Sequence, residues 1–124
     1  MKNKYTVAII DDEYTGINNL RQSLTLTDRL ILTGIAMNGD DGKNLIIQSK
    51  PDIVFLDIEM PDISGLALLR DLRDIINWPI KIIFYTAYDK FLLDALRESA
   101  FDYLLKPYED SDFLNIIDRI FLCL

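Results

Sequence analysis

Five short apolar runs alternate with longer amphipathic stretches along the 124 residues of this chain. The runs are nearly continuous in Val, Ile, Leu and Phe, which is typical of strands that are covered on both faces. We therefore predict five strands, over residues 5–10, 30–36, 53–56, 80–85 and 103–105.

The stretches between these runs have the spacing of amphipathic helices, with apolar residues three or four positions apart. Strands that alternate with helices predict an α/β fold, a doubly wound five-stranded parallel sheet with right-handed crossovers and helices on both faces. The helices are predicted over residues 14–26, 41–49 (capped by an Asp after the turn at residues 38–40), 64–75, 89–99 (carrying Leu92, Leu93 and Leu96) and 110–121.

Composition and charge narrow the class of protein. The chain is 50% apolar and 27% charged, and its length suits one domain over residues 1–124. It has no apolar run of membrane-spanning length, no signal-peptide pattern and a single cysteine, so we expect a cytoplasmic protein. A net charge of −7 argues against direct binding of nucleic acid, and the absence of histidine excludes imidazole catalysis and histidine metal ligands.

Polar residues are found at the ends of four of the predicted strands. In a parallel sheet of this kind, the ligand site lies outside the carboxyl ends of the strands. We therefore expect these side chains to share one site. They are a pair of acids, a single acid, a hydroxyl and an amine: Asp11, Asp12, Asp57, Thr86 and Lys106.

These residue types suit the transfer of a phosphoryl group. Three carboxylates without His or Cys favour a hard divalent cation such as Mg²⁺, which would also offset their mutual repulsion. Asp57 is then placed as a nucleophile that could form an acyl phosphate. Lys106 would neutralise the incoming charge, Thr86 would donate a hydrogen bond, and the small Ala87 would leave room for the group.

The chain resembles the response regulator receiver domains of two-component systems over essentially its whole length. Each motif is weak alone, but their order and their positions at strand ends are specific. The motifs are Ile9-Ile10-Asp11-Asp12-Glu13, Asp52-Ile53-Val54-Phe55-Leu56-Asp57-Ile58-Glu59-Met60-Pro61-Asp62 with Gly65, Thr86-Ala87, and Asp102-Tyr103-Leu104-Leu105-Lys106-Pro107.

The resemblance implies a flavodoxin-like (βα)5 fold with strand order 2-1-3-4-5. It also implies Mg²⁺-dependent phosphorylation of Asp57 by a sensor histidine kinase. The metal would be bound directly by Asp12, Asp57 and the backbone carbonyl of Glu59, with Asp11 acting largely through water. The domain would not be an enzyme in the usual sense, because it would catalyse only its own phosphorylation and dephosphorylation.

The resemblance also implies how phosphate would be sensed. Lys106 and Thr86 would contact the phosphoryl group, and the bond between Lys106 and Pro107 would be cis. Thr86 would move toward the phosphate, and the ring of Tyr103 would turn inward into the space it leaves. The surface of the fourth helix, last strand and last helix would then change and favour a homodimer.

A narrower resemblance, in residues 84–91 and 100–107, is to receivers of the LytTR (LytR/AgrA) type. That type regulates transcription through a DNA-binding output domain, which is absent from this chain. The apolar end at residues 121–124 is an indication that the chain belongs to a longer regulator. DNA would be bound by the missing domain and not by this one.

Other interpretations remain open at this point. A phosphatase of the haloacid dehalogenase type also uses an Asp at a strand end, but it requires a second Asp where Glu59 stands. A degenerate receiver would take no phosphate and act only as an interaction surface. Asp11-Asp12-Glu13 could simply cap the first helix, Thr86 could cap the fourth, and Tyr103 could be a packing residue.

Overall fold

A computed structural model describes residues 3–123, and within them five strands alternate with five α-helices. Predictions that concern Met1, Lys2 or Leu124 fall outside the described part of the chain. The strands are β1 (Tyr5–Ile10), β2 (Leu30–Ala36), β3 (Ile53–Leu56), β4 (Lys81–Thr86) and β5 (Asp102–Leu105). The helices are α1 (Tyr14–Leu24), α2 (Gly39–Ser49), α3 (Gly65–Leu72), α4 (Leu92–Arg97) and α5 (Asp110–Leu122), and a 3₁₀ turn (Asp89–Phe91) leads into α4.

The strands form one parallel sheet in the order β2-β1-β3-β4-β5, which confirms the predicted fold class and strand order. The chain moves outward from β1 to β2 and then returns to place β3 on the other side of β1. The direction of winding therefore reverses between β1 and β3. The carboxyl ends of these two strands flank the crevice in which ligands bind in sheets of this type.

Two hydrophobic cores lie on opposite faces of the sheet and explain the continuous apolar runs. Val7 and Ile9 of β1 pack into the core shared with α1 and α5, whereas Ala8 and Ile10 pack into the core on the other face. All four side chains are fully buried. A strand covered on both faces needs apolar residues at every position, so alternation is lost. No helix in the described range is long and apolar enough to cross a membrane.

The start of α2 differs from the prediction. Asn38, and not an Asp as predicted, caps this helix, because the Asn38 side chain accepts a hydrogen bond from the backbone N–H of Asp41 at 2.8 Å. Asp62, in the loop after β3, accepts two more bonds from the backbone N–H groups of Gly39 (2.8 Å) and Asp40 (3.0 Å). The first turn of α2 is thus held by a residue distant in the sequence.

The fourth helical segment is shorter than the predicted range of 89–99, because its α-helical part covers only Leu92–Arg97. Its leucines lie at the surface, with Leu92, Leu93 and Leu96 being 47%, 57% and 64% exposed. Only Ala95 of α4 is buried. A short helix at the edge of the sheet has little core to cover, so its leucines remain at the surface.

Candidate phosphoryl-acceptor site

Backbone hydrogen bonds continue the strand ladders beyond β3 and β5 and fix two of the predicted site residues. The N–H of Asp57 donates to the carbonyl of Ile10 at 2.9 Å, and the N–H of Lys106 donates to the carbonyl of Thr86 at 2.8 Å. Thr86 is the last residue of β4, so it does not cap the fourth helix. Residues far apart in the sequence therefore meet at one edge of the sheet.

The ammonium group of Lys106 lies among three acids. Its Nζ is 2.7 Å from Oδ2 of Asp11, 3.2 Å from Oε1 of Glu13 and 3.7 Å from Oδ2 of Asp57. Asp11 is completely buried, and the Lys106 side chain is only 12% exposed. Their ion pair is shielded from water and offsets the charge that Asp11 carries into the interior.

Four carboxylates converge at this edge of the sheet. Each offers an oxygen, and these oxygens all lie within 4.8 Å of one another, the four residues being Asp11, Asp12, Glu13 and Asp57. Glu13 was not among the predicted site residues, although its place directly after the acid pair was a signal for it. An all-oxygen set of this charge fits a hard divalent cation.

The pKa of Asp57 is raised from 3.8 to about 7. Burial is the main cause; the charge of Lys106 acts against it, and the charge of Asp11 adds to it. Burial would by itself lower the pKa of Lys106, but the hydrogen bond with Asp11 and the charges of Asp57 and Asp11 raise it above its ordinary value. Lys106 therefore stays charged, while added positive charge near Asp57 would favour its ionised form.

A cavity of about 290 Å³ opens beside the acids. Asp57 is only 4% and Thr86 only 1% exposed, so both lie deep in the fold. The cavity gives a small tetrahedral group access to Asp57. It is lined by Asp12, Glu13, Asp57, Glu59, Thr86, Ala87 and Tyr88.

The loop after β3 packs tightly against the backbone of Asp57. A Cβ atom on Gly65 would lie 2.2 Å from the carbonyl oxygen of Asp57, closer than any side chain can approach. The N–H of Gly65 donates to the carbonyl of Ile58 at 2.8 Å. Glycine at this position lets the loop fold back over the end of β3.

A charged and aromatic rim borders the cavity, and Lys90 is the member of it that the predicted site did not include. Lys90 Nζ lies 3.9 Å from Oε1 of Glu59 and 5.0 Å from the centroid of the Tyr88 ring. Glu59 is half-exposed and directs its carboxylate toward this lysine. Lys90 follows Thr86 within a motif of the predicted site, but its contact with Glu59 depends on the fold.

The remaining predicted residues lie around β5. The bond between Lys106 and Pro107 is cis. Tyr103 is half-buried, and its hydroxyl donates a hydrogen bond to the backbone carbonyl of Tyr88. Burial raises the pKa of Tyr103 to about 12, so the hydroxyl remains a donor at neutral pH. This bond connects β5 directly to the loop that follows Thr86.

Comparison with known proteins identifies the family. The family model for the response regulator receiver domain matches residues 7–118. This chain belongs to that family. The receiver domain is 38% identical over 114 residues to the transcriptional regulatory protein BtsR of Escherichia coli, covering 92% of this chain and 47% of BtsR. It is 34% identical over 113 residues to the sensory transduction protein LytT of Bacillus cereus, covering 91% of this chain and 46% of LytT.

Solved structures agree with this assignment. The response regulatory domain of protein mrkE from Klebsiella pneumoniae superposes with a TM-score of 0.87 at 27% identity, covering 95% of this chain and 96% of that one. The receiver domain spans about half the length of the curated relatives it matches. Proteins of this family are regulatory components of two-component systems and not classical enzymes.

Proposed function

We propose that this receiver domain accepts a phosphoryl group on Asp57 from a sensor histidine kinase. The observation that carries the proposal is the environment of Asp57: a buried carboxyl group, 3.7 Å from the Lys106 ammonium, that lines an open cavity. Thr86 and Ala87 line the same cavity. This arrangement supplies a nucleophile, a positive charge, a hydroxyl donor and space for the incoming group.

In the transfer, a carboxylate oxygen of Asp57 attacks phosphorus, and the bond between phosphorus and the histidine nitrogen of the kinase breaks. The product is an acyl phosphate on Asp57 and a free imidazole on the kinase. Mg²⁺, held by Asp12, Asp57 and the backbone carbonyl of Glu59, with Asp11 acting through water, would supply positive charge when bound. Lys106 would form an ion pair with the phosphoryl oxygens, and Thr86 would donate a hydrogen bond to one of them. Attack by water would later release phosphate and restore Asp57.

The phosphorylated site would act on a distant surface through Thr86 and Tyr103. Thr86 is followed closely by Tyr88, whose carbonyl accepts the hydrogen bond of the Tyr103 hydroxyl. A movement of Thr86 toward phosphate would therefore shift the anchor of Tyr103 and favour its inward position. Phosphate would stabilise one of two conformations, and the surface of α4, β5 and α5 would differ between them.

This surface would mediate dimerisation and pass the signal to an output domain. On α4 and β5 it carries four leucines that are more than 40% exposed, Leu92, Leu93, Leu96 and Leu105. Apolar side chains grouped in this way favour contact with a second protein surface. The relatives named above include a transcriptional regulator, which supports an output of the LytTR type that binds DNA through a separate domain. A cytoplasmic location fits a protein of this kind.

Incubation with acetyl phosphate and Mg²⁺, followed by intact-protein mass spectrometry, tests the proposal. We expect one phosphate adduct on the wild-type protein and none on Asp57→Asn. Asp71→Asn is the matched control, because Asp71 is exposed on α3, away from the cavity, and should not alter labelling. An unlabelled wild type, or equal labelling of Asp57→Asn that depends on Mg²⁺, would refute the assignment.

A further inference from the structure

The ammonium group of Lys106 has a second, uncharged set of neighbours on its inner side. Its Nζ lies 4.5 Å from the centroid of the Tyr85 ring, within the range of a cation–π contact. Tyr85 is almost completely buried, and its hydroxyl donates to the backbone carbonyl of Gly16 at 3.3 Å. The ring that faces Lys106 is thus attached to α1.

Helix α1 approaches the same ion pair through Gly16. A Cβ atom at this position would lie 2.4 Å from Oδ2 of Asp11 and 3.0 Å from Nζ of Lys106. Any side chain there would force these two charged groups to move. Because glycine has no side chain, the ion pair of Asp11 and Lys106 fits beside Gly16. The carbonyl of Gly16 also accepts the hydrogen bond of the Tyr85 hydroxyl.

A second aromatic ring also holds the Tyr85 ring in place. Tyr108, two residues after Lys106, packs edge-on against it with a centroid separation of 5.8 Å. The hydroxyl of Tyr108 shares a hydrogen bond of 2.6 Å with the side chain of Ser23 on α1. The position of the ring is therefore determined by α1, β4 and the segment after β5 together.

We propose that Tyr85 and Gly16 are positioning residues that form a seat for the Lys106 ammonium group and so set the rate at which Asp57 takes phosphate. The inference rests on the proposed function. Lysine is a point charge on a flexible stem of four carbons, so its own ion pairs do not fix its direction. Glu13, which is 64% exposed, competes for the same ammonium group at the mouth of the site. The face of the Tyr85 ring and the space left by Gly16 keep Nζ of Lys106 on the inner side of the site, beside Asp57.

The first test compares Tyr85→Leu with the wild-type protein in the rate of phosphorylation by acetyl phosphate. Loss of the ring should slow labelling by about tenfold, the size expected for one desolvated cation–π contact. Tyr5→Leu is the matched control, since Tyr5 is also buried in the core between the sheet and helices α1 and α5 but lies at the opposite end of the sheet. This control should label at the wild-type rate. Tyr85→Phe, which keeps the ring and loses only the long hydrogen bond to Gly16, should lose less than about threefold.

A double-mutant cycle separates positioning from a general structural effect. In a Lys106→Ala background, Tyr85→Leu should slow labelling no further, because the lysine through which it acts is gone. Equal slowing in both backgrounds would refute the proposal, as would labelling of Tyr85→Leu at the wild-type rate. A wild-type protein that takes no phosphate would refute the proposed function and, with it, this proposal, whereas a labelled wild type matched by Tyr85→Leu would refute this proposal alone.

A measurement on the wild-type protein avoids the risk that a variant fails to fold. The ε-methylene protons of Lys106 should show an upfield ring-current shift in NMR spectra, because the ammonium group lies over the ring face. Chemical shifts typical of a lysine remote from any aromatic ring would refute the proposed seat for Lys106. Gly16→Ala should move these resonances and slow labelling, whereas the control Gly42→Ala, another helical glycine whose added methyl would meet Ile10, should do neither.

Discussion

Asp57 is a buried carboxyl group whose ionised form is disfavoured by the folded protein. Its side chain lies in a poorly solvated site and close to Asp11, and the attraction of Lys106 compensates only in part. The same burial that raises its pKa would also protect the proposed acyl phosphate from solvent. An ionised Asp57 therefore lowers the stability of the fold, as is common for groups that take part in chemistry.

This cost predicts a pH-dependent effect of Asp57→Asn on stability. Between pH 3.8 and about 7, the folded state keeps a proton on Asp57 that the unfolded state has lost. The free energy of unfolding of the wild type thus falls as pH rises through this window. Asp57→Asn should be more stable than the wild type by on the order of 2 kcal/mol at pH 8 without metal, and the difference should vanish near pH 4. Urea denaturation at both pH values measures it.

The control for this prediction is Asp71→Asn, which removes the same net charge from an exposed position on α3. It should leave the pH profile of unfolding unchanged. Addition of Mg²⁺ at pH 8 should stabilise the wild type more than Asp57→Asn. A variant no more stable than the wild type at pH 8 would show that the ionised carboxylate is not disfavoured by the fold.

At the scale of elements, the first turn of α2 depends on one local and one distant cap. Asn38 supplies the local cap, and Asp62 ties the loop after β3 to the same helix end. Carboxylates are favourable at a helix N-terminus. The hydrogen bonds that Asp62 accepts from the backbone N–H groups of Gly39 and Asp40 lower its pKa. The loop that follows Asp57 is thus anchored to α2 as well as to β3.

We expect Asn38→Ala to lower the free energy of unfolding by about 1 kcal/mol, the usual cost of losing a side-chain cap. The backbone N–H of Asp41 would lose its partner at 2.8 Å. Asn38→Asp keeps an acceptor oxygen at the same place and should retain most of the stability. Chemical denaturation of the three proteins compares them, and equal losses in both variants would assign the effect to something other than the cap.

At the scale of the whole molecule, the exposed leucines of α4 and β5 are the feature most open to a partner. These side chains are exposed, and the hydrogen bond from Tyr103 to the carbonyl of Tyr88 would connect them with the site under the proposed switch. Burying them against a second copy would recover the hydrophobic free energy that the monomer leaves unused. Phosphorylation would then control association by changing the shape of this face.

We expect Leu93→Glu to prevent self-association of the phosphorylated protein without altering phosphorylation of Asp57, because a charge would be buried in the apolar contact. Sedimentation with acetyl phosphate and Mg²⁺ measures the change. Ile75→Glu is the matched control, as Ile75 is 40% exposed and follows α3, outside this surface. If Leu93→Glu associates as readily as the control, this face is not the dimer interface.

The same assay examines Tyr103 as the connection between site and surface. Tyr103→Ala should still be phosphorylated but should show a weaker increase in association on phosphorylation. Loss of phosphorylation in this variant would mean that Tyr103 supports the structure of the site instead.

Much of this architecture could be predicted from local pattern. Runs such as Ile53–Leu56 are continuously apolar because both faces of the sheet are covered, and the polar residue that ends each run must emerge at the sheet edge. For this reason the strand pattern alone is enough to group Asp57 with Lys106. The cap of α2 was predicted wrongly, and the exposure of Leu93 was not predicted, because both depend on what packs nearby and not on periodicity.

The sequence by itself determined the fold class, the strand order through family resemblance, and the set of residues that meet at the strand ends. Only the tertiary structure decided how Glu13, Gly16 and Tyr85 surround Lys106, and that Asp62 caps a helix from another loop. The physical reason is the range of the interactions. Strand burial and helix periodicity act between neighbours in the chain, whereas the space around an ammonium group is set by three elements that meet only when the whole sheet is assembled.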